Sequence, residues 1–445
     1  MRPQLNIVRI IGRLNVGGPS IQAILMTEAF RARGYGALLV KGQVAAGEAD
    51  MEYLAAERKV DTVSISALGR GISGWKDLLT LGHLIRILRR QRPAIVHTHT
   101  AKAGALGRLA AIVARTPIRV HTFHGHVFKG YFSPLVTRIF VWIERFLARY
   151  TDCIVAISES QRRDLTEIYR IAPPQKVIVI PLGVDLAPFL ELESQPGELR
   201  KAPRPPSAPL VGWIGRFTAI KAPGLFLDCV PLVTRALAVR ALPPALLPPR
   251  FVMVGGGELK PECERRIARE GLENSVALLG WRRNLAEIYA DLDLVVCTSI
   301  NEGTPVALLE AMASGKAIVS ADVGGVRDLM IGAPVAFEGR QVFQNGILVE
   351  RNPNLIAGAI CHLLENPELR QAMGRAGREF VRERFSQHRL ADHLERIYLG
   401  LARAKGLLPQ EAAAARRPRP ASVFSSASLA ASISASTENF ENLPK

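Results

Sequence analysis

Cysteine is sparse: Cys153, Cys229, Cys263, Cys297 and Cys361 are scattered through 445 residues. They form no CxxC pair and no zinc-like spacing, which excludes a disulfide framework and a cysteine zinc site; buried thiols in a reducing compartment are expected. Long hydrophobic runs are also missing, since no uninterrupted apolar stretch approaches the ~18 residues of a membrane-spanning helix. Met1–Pro19 has neither the apolar core nor the cleavage site of a signal peptide, and Leu5–Ile11 reads as a buried strand. The expectation is a soluble, cytoplasmic chain. Acidic residues are outnumbered 40 to 57, a net charge of +17. That excess suits polyanionic partners: phosphorylated substrates, an anionic membrane surface or nucleic acid. Nucleic acid is set aside, because no interleaving of aromatic and basic residues and no helix-turn-helix pattern appears.

What is present is alternation. Strand-like runs at Leu5–Ile11, Gly36–Val40, Ala94–His97, Arg119–Phe123, Cys153–Ile157 and Val177–Ile180 are separated by stretches of helical spacing. These are Ile21–Arg33, Trp75–Gln91, Gly104–Ala114, Pro134–Tyr150 and Ser158–Tyr169. A Pro-, Glu- and Ser-rich break covers 191–209, and alternation then resumes from Leu210. A Pro-rich excursion is expected at Ala241–Arg250, and helices at Asn354–Glu365, Pro367–Phe385 and Leu390–Ala404. The pattern predicts an α/β chain of two doubly wound parallel-sheet domains facing a cleft, with ligands at strand carboxyl ends. From Leu408 the composition turns to Ala, Ser, Pro and Arg, and 408–445 reads as a disordered tail.

The most informative stretch is Ser299–Ala311. Thr304 is a good N-cap and Pro305 suits a first helical position, with Gly315 ending the helix. Free backbone N–H groups and the positive dipole end at such a start, aimed at the loop containing Glu302, make an anion site. Glu302 precedes the helix, and Glu310 lies about one and a half turns into it. Two carboxylates beside an anion site suit a sugar nucleotide; a loop glutamate and a helix-face glutamate on the surface would share that spacing. Gly215–Arg216–Phe217 ends a strand and Lys221 follows, a pair able to neutralise a diphosphate or simply to face solvent. Gly17–Gly18 joins the first strand to the first helix and permits close approach of a phosphate or sugar, although most such pairs are only turns.

Taken together these residues resemble the retaining GT-B glycosyltransferases of family 4, the "glycosyl transferases group 1". The resemblance runs from residue 5 to about 400. It rests on Gly215–Arg216, Lys221, Gly280–Trp281, Asp291–Leu292–Asp293, Glu302-x7-Glu310 and Val323–Gly324–Gly325–Val326, with Gly17–Gly18, His97–Thr98–His99 and His121–His126 in the first half. It implies an acceptor-binding domain over 1–190, a linker at 191–209 and a nucleotide-sugar-binding domain over 210–388. A helix at 389–407 would return to the first domain. It further implies that Arg216 and Lys221 hold the donor diphosphate, with Gly17, Gly18 and the Thr304–Val306 backbone. Glu302 and Gly303 would meet the sugar and Glu310 the ribose. His124 would stand at the transferred sugar, so that His124 and Glu302 are the candidate catalytic residues. Transfer would retain anomeric configuration and need no metal or other cofactor. Gly255–Gly256–Gly257 departs from the Gly-Asp-Gly common in such enzymes.

His121, His124 and His126 fall within six residues, which raises a metal site as an alternative. Strand periodicity relates only His124 and His126, and no acidic residue lies near, so a sugar-contacting His124 is the preferred reading. His97 and His99 are expected at the cleft edge or behind it. Leu84–Arg92 and the arginines Arg138, Arg145 and Arg149 make two basic amphipathic helices. They read either as an anionic-membrane patch, placing the enzyme peripherally on the inner face of the plasma membrane, or as solvated faces packed through their apolar sides. The expected partners are a nucleotide-diphosphate sugar (UDP or GDP) and a glycan or polyprenyl-linked acceptor in cell-surface polysaccharide synthesis. An epimerase of the same architecture, or a decayed sugar-nucleotide-binding protein, are the alternatives.

Overall fold

The computed structural model describes residues 5–15, 17–44, 50–69, 71, 73–125, 133–191, 199, 208–239 and 248–409. The first sheet comprises β1 (Asn6–Ile11), β2 (Gly36–Gly42), β3 (Thr62–Ile65), β4 (Ile95–His99), β5 (Ile118–Thr122), β6 (Cys153–Ala156) and β7 (Val177–Val179). All pairings are parallel, in the order β3-β2-β1-β4-β5-β6-β7. The second comprises β8 (Leu210–Ile214), β9 (Arg250–Val254), β10 (Val276–Gly280), β11 (Leu294–Cys297), β12 (Ala317–Ala321), β13 (Val335–Phe337), β14 (Arg340–Phe343) and β15 (Gly346–Val349). Its order is β10-β9-β8-β11-β12-β15-β14-β13, with the last two pairings antiparallel. Helices cover both faces, so the central strands are buried on both sides rather than alternating: in β1, Ile7, Val8, Ile10 and Ile11 are all buried, and so is Arg9.

The parallel part of each sheet reverses its strand order once, between β1 and β4 and between β8 and β11. Loops leaving the carboxyl ends diverge there and open a crevice. These are the two Rossmann-like domains of a GT-B fold, and their crevices face one another across a cleft. The helix Gln387–Ala404 returns to the first domain. Leu390, Leu394 and Tyr398 are buried in a core with Leu5, Ile7 and Phe30, and Arg33 pairs with Asp392 and Glu395 at 2.5 Å each.

Several local expectations are corrected. β3 and the β13–β15 meander are absent from the sequence reading. The β13–β14 turn uses Glu338 and Gly339 with φ of 46° and 74°, and glutamate there hides the Asn-Gly or Asp-Gly signal of a tight hairpin. Ser158–Tyr169 is not one α-helix. It runs as an α-helix over Glu159–Arg163 and then a π-turn over Asp164–Ile168, closed by Tyr169 N–H donating to Asp164 O at 2.8 Å. Ala219–Val239 is long and apolar enough to cross a membrane by length and composition. Here its Phe226, Val230 and Val233 are buried in the core of the second domain. Most of 191–209, residues 241–247 and nearly all of 408–445 lie outside the described residues.

Candidate active site

Between the two domains lies a cleft of about 730 Å³. Every residue singled out from the sequence for the site lines it: Gly17, Gly18, His124, Arg216, Lys221, Glu302, Gly303, Thr304, Pro305, Val306 and Glu310. Arg216 leaves the end of β8, half-buried, and its side chain makes no ion pair or hydrogen bond among the described residues. Lys221 closes a 3-10 turn over Ala219–Lys221. That turn is pinned from β8 and the end of β11. The Trp213 indole donates to Thr298 Oγ1 at 2.9 Å, and the Thr298 hydroxyl lies 3.1 and 3.0 Å from the carbonyls of Lys221 and Ala222.

Lys221 Nζ donates to Glu302 Oε1 at 2.5 Å, and Ser299 Oγ donates to the same oxygen at 2.5 Å. Burial works against the Lys221 charge, but the Glu302 carboxylate outweighs it and raises the lysine above its ordinary value. The helix begins at Val306, and its N-cap is Pro305 with no side-chain cap hydrogen bond. This corrects the expectation that Thr304 caps the helix with Pro305 as its first residue. The first intrahelical bonds are made by Leu308 and Leu309 to Pro305 O, so among the described residues the Val306 and Ala307 N–H groups have no partner at the cleft, where a helix start favours an anion.

Glu310 is buried, and its Oε2 lies 3.1 Å from Tyr289 Oη, which is 2.9 Å from Ala307 O. Burial pushes its carboxyl up to about 7, opposed by the tyrosine hydrogen bond. From the first domain, His124 follows β5, and its Nε2 lies 2.8 Å from Nδ1 of the buried His99. Burial lowers its imidazole to about 3. His97 is deeper still, not at the cleft edge: it is wholly buried and bonded to Arg9, Tyr398 and Thr122. His121 faces away and pairs with Thr98 Oγ1 at 2.8 Å, and His126 lies outside the described residues.

Glycines bring the domains together here. A β-carbon on Gly303 would come within 2.8 Å of the His124 carbonyl oxygen, and one on Gly18 within 3.0 Å of Val306 Cγ2. Gly325 N–H donates to Glu302 O at 3.0 Å. The arrangement presents fixed positive charge, free amides and buried carboxyl acceptors along one wall, with an imidazole opposite.

Comparison with known proteins agrees with this geometry. Residues 16–188 match the family described as "Glycosyltransferase Family 4", and residues 208–366 that described as "Glycosyl transferases group 1". The D-inositol 3-phosphate glycosyltransferase of Segniliparus rotundus is 31% identical over 341 residues, 72% of this chain and 69% of that enzyme. The chain belongs to glycosyltransferase family 4. It is therefore a transferase that uses a nucleotide sugar. Another relative is the UDP-Gal:alpha-D-GlcNAc-diphosphoundecaprenol alpha-1,3-galactosyltransferase of Escherichia coli, 31% identical over 265 residues, 59% of this chain and 66% of that enzyme. Among solved structures, HepE of Anabaena in complex with UDP shares the fold, with a TM-score of 0.70 at 20% identity over 89% of this chain and 100% of that one.

In this family 4 glycosyltransferase the cleft also contains residues to which sequence reasoning gave no role. Trp281, Arg282 and Arg283 line it from the end of β10, and Tyr53 from the first domain. The Arg283 guanidinium lies 4.8 Å over the Tyr53 ring, bridging the domains. A β-carbon on Gly256 would lie 2.4 Å from Trp281 Nε1. The Gly-Gly-Gly departure thus makes room for an indole, a signal readable only once β9 and β10 are known to be neighbours.

Proposed function

We propose that this enzyme transfers a sugar, with retention, from a UDP- or GDP-sugar to a polyprenyl-diphosphate-linked glycan in cell-surface polysaccharide synthesis. The observation that carries the donor reading is Arg216, without an ion pair or hydrogen bond among the described residues, beside Lys221 and the Val306 and Ala307 amides, which likewise have no partner there. The anomeric C–O bond to the diphosphate breaks, and a C–O bond to the acceptor hydroxyl forms on the same face. The hydroxyl proton passes to the leaving phosphate. Arg216, Lys221 and the helix start stabilise the departing charge without reorganising, a role a divalent cation fills elsewhere. Glu302 and Gly303 take the sugar hydroxyls, Glu310 the ribose, and His124 stands at the transferred sugar. Gly17 and Gly18 close the diphosphate end.

The lipid-linked acceptor draws support from the Escherichia coli relative and from the helix Pro134–Arg149. Its Leu135, Ile139, Trp142 and Phe146 form a stripe facing outward, 41–68% exposed, beside the exposed Arg138, Arg145 and Arg149. The helix cannot roll this stripe inward, because its opposite side is held by a buried pair, Arg108 to both carboxylate oxygens of Glu144 at 2.8 and 2.7 Å. An apolar stripe edged by arginines suits an anionic bilayer, which supports the reading that catalysis takes place at the cytoplasmic membrane surface.

The test measures nucleoside diphosphate release from UDP-, GDP- and ADP-sugars with and without a polyprenyl-linked acceptor extract. Extract-dependent release with one donor is expected, falling about 10²–10³-fold in Arg216→Ala and in Glu302→Ala. Epimerisation of a donor without acceptor would overturn the transferase step. Flotation with phosphatidylglycerol vesicles, expected for wild type and lost in Trp142→Glu, checks the membrane face; binding to neutral phosphatidylcholine alone, or self-association instead, would sink it.

A further inference from the structure

Three helices, Gly74–Gln91, Ala101–Val113 and Pro134–Arg149, form one face of the first domain, with Ala101–Val113 packed between the other two. Asp77 is the one acidic residue of the first helix and Glu144 that of the third, while the middle helix has none. Both carboxylates turn inward onto cations of the middle helix: Lys102 Nζ lies 2.5 Å from Asp77 Oδ1, and Arg108 Nη2 2.7 Å from Glu144 Oε2. What remains outside is positive. Lys76, Arg86, Arg89 and Arg90 of the first helix are exposed, as are the three arginines of the third, and no carboxylate among the described residues of these helices is exposed.

The inward pairs also decide which side chains face out. Along a helix, positions two residues away are turned by about 200°, to the opposite side. Trp75 and Leu79 bracket Asp77 in this way, and Trp142 and Phe146 bracket Glu144. All four are exposed, Trp75 at 70% and Trp142 at 67%. The same device is used twice, and it gives the first helix an outward apolar end, Trp75, Leu78 and Leu79, that has no part in the membrane contact proposed above. Leu84 and Leu88 of that helix are buried. Asp77 holds the end in place by also accepting from Ser73 N–H at 3.1 Å. The helices start beyond the carboxyl ends of β3, β4 and β5, the side on which the cleft opens. Apolar residues therefore gather toward the rim, and Arg86, Arg89 and Arg90 lie at the far end of their helix.

We infer that the first domain meets an anionic bilayer at two points, through Trp75 as well as Trp142, so that the rim of the cleft lies at headgroup level. Tryptophan favours that level, and the cations behind it suit anionic headgroups. A second copy of the chain fits this face poorly, because a symmetric contact sets one positive surface against another. The inference rests on the membrane reading of Pro134–Arg149 and extends it from one helix flank to a three-helix face, which fixes how the cleft is oriented.

The test floats the full chain with phosphatidylglycerol vesicles. Apparent partitioning should fall at least about tenfold in Trp75→Glu, as in Trp142→Glu, the scale for losing one large buried side chain; Trp75→Phe should keep most of it. Loss in Trp142→Glu with Trp75→Glu unchanged overturns the two-point contact and leaves the single-helix reading standing. Wild type that does not float removes both. A second measurement uses Trp142→Phe with Trp281→Phe, which leaves Trp75 and the buried Trp213 as the only tryptophans. At saturating phosphatidylglycerol brominated in its acyl chains, Trp75 emission should shift to the blue and be quenched. Unquenched emission from bound protein overturns the inference even if Trp75→Glu fails to fold. Self-association without vesicles, lost in Trp75→Glu, assigns the patch to a second copy and overturns it as well.

Discussion

Donor binding should expel a proton from Glu310. In the empty cleft Tyr289 Oη has one hydrogen and two neighbours, Ala307 O at 2.9 Å and Glu310 Oε2 at 3.1 Å. One hydroxyl hydrogen cannot serve both acceptors at once, and a protonated Glu310, donating to Tyr289 while Tyr289 donates to Ala307, removes that competition. Burial acts in the same direction and pushes the carboxyl up to about 7. A ribose diol brings two donors, which favour the carboxylate. If the bound carboxyl returns to an ordinary value of ~4.5, release is about 0.9 proton at pH 6, about 0.5 at pH 7 and about 0.1 at pH 8. Isothermal titration of UDP and GDP in buffers of differing ionisation enthalpy reads this directly, and Glu310→Gln should abolish it. Stability carries the same sign. A raised carboxyl contributes stability that is present in full below the unfolded value and is lost as pH rises through about 7. The loss amounts to at most about 3 kcal/mol by pH 8.5, for a rise of roughly 2.5 units at 1.36 kcal/mol each. The empty Glu310→Gln protein should therefore melt higher than wild type at pH 8.5 and close to it at pH 4. A binding enthalpy independent of buffer between pH 6 and 7 would refute the reasoning.

Three further outcomes are expected. Glu302→Gln frees Lys221 from its carboxylate partner, so UDP or GDP should bind at least as tightly as to wild type while transfer is lost; a tenfold weaker Kd would contradict the pairing. Arg108→Met strands the Glu144 carboxylate in the interior and should cost about 3–5 kcal/mol in denaturant unfolding, whereas Arg108→Met with Glu144→Leu should recover most of it. Gly256→Asp puts a side chain where the Trp281 indole lies, and should cost about 1–3 kcal/mol and shift tryptophan fluorescence. An unshifted spectrum would show that the indole does not need that glycine.

The alternation of strands and helices was legible because apolar period reports local structure, and the cleft wall formed by Arg216, Lys221, Glu302 and Glu310 was legible because they lie on strand-end loops and one helix. What was not legible depends on neighbours distant in sequence. His99 meets His124 because β4 pairs with β5 with His99 opposite Thr122, a register no single segment specifies. The period of Pro134–Arg149 shows that the helix has an apolar stripe, but not that the stripe faces out; that was decided by Glu144 finding Arg108 on a different helix. The β13–β14 hairpin was missed because its turn places glutamate in the left-handed region. Thr304 reads as a cap by residue type, yet Pro305 holds the position.

The two ends of the cleft are built differently, and that bears on how it works. At the end where Gly303 meets His124, backbone meets backbone. A β-carbon on Gly303 would fall 2.8 Å from the His124 carbonyl, one on Gly325 1.8 Å from Gly303 O, and Gly324 adopts φ of 52° under the Glu302 carbonyl. The loop carrying Glu302 thus meets the strand end carrying His124 mainly through backbone, with Ile157 Cδ1 3.1 Å from the Gly303 β-carbon position. At the other end, Trp281 is 46% exposed and the domains touch through the Arg283–Tyr53 stack, a contact that can break at little cost. Under the proposed function, a nucleotide would enter at the more open end while the close-packed end keeps the proposed reacting groups in register, as transfer by fixed charge requires.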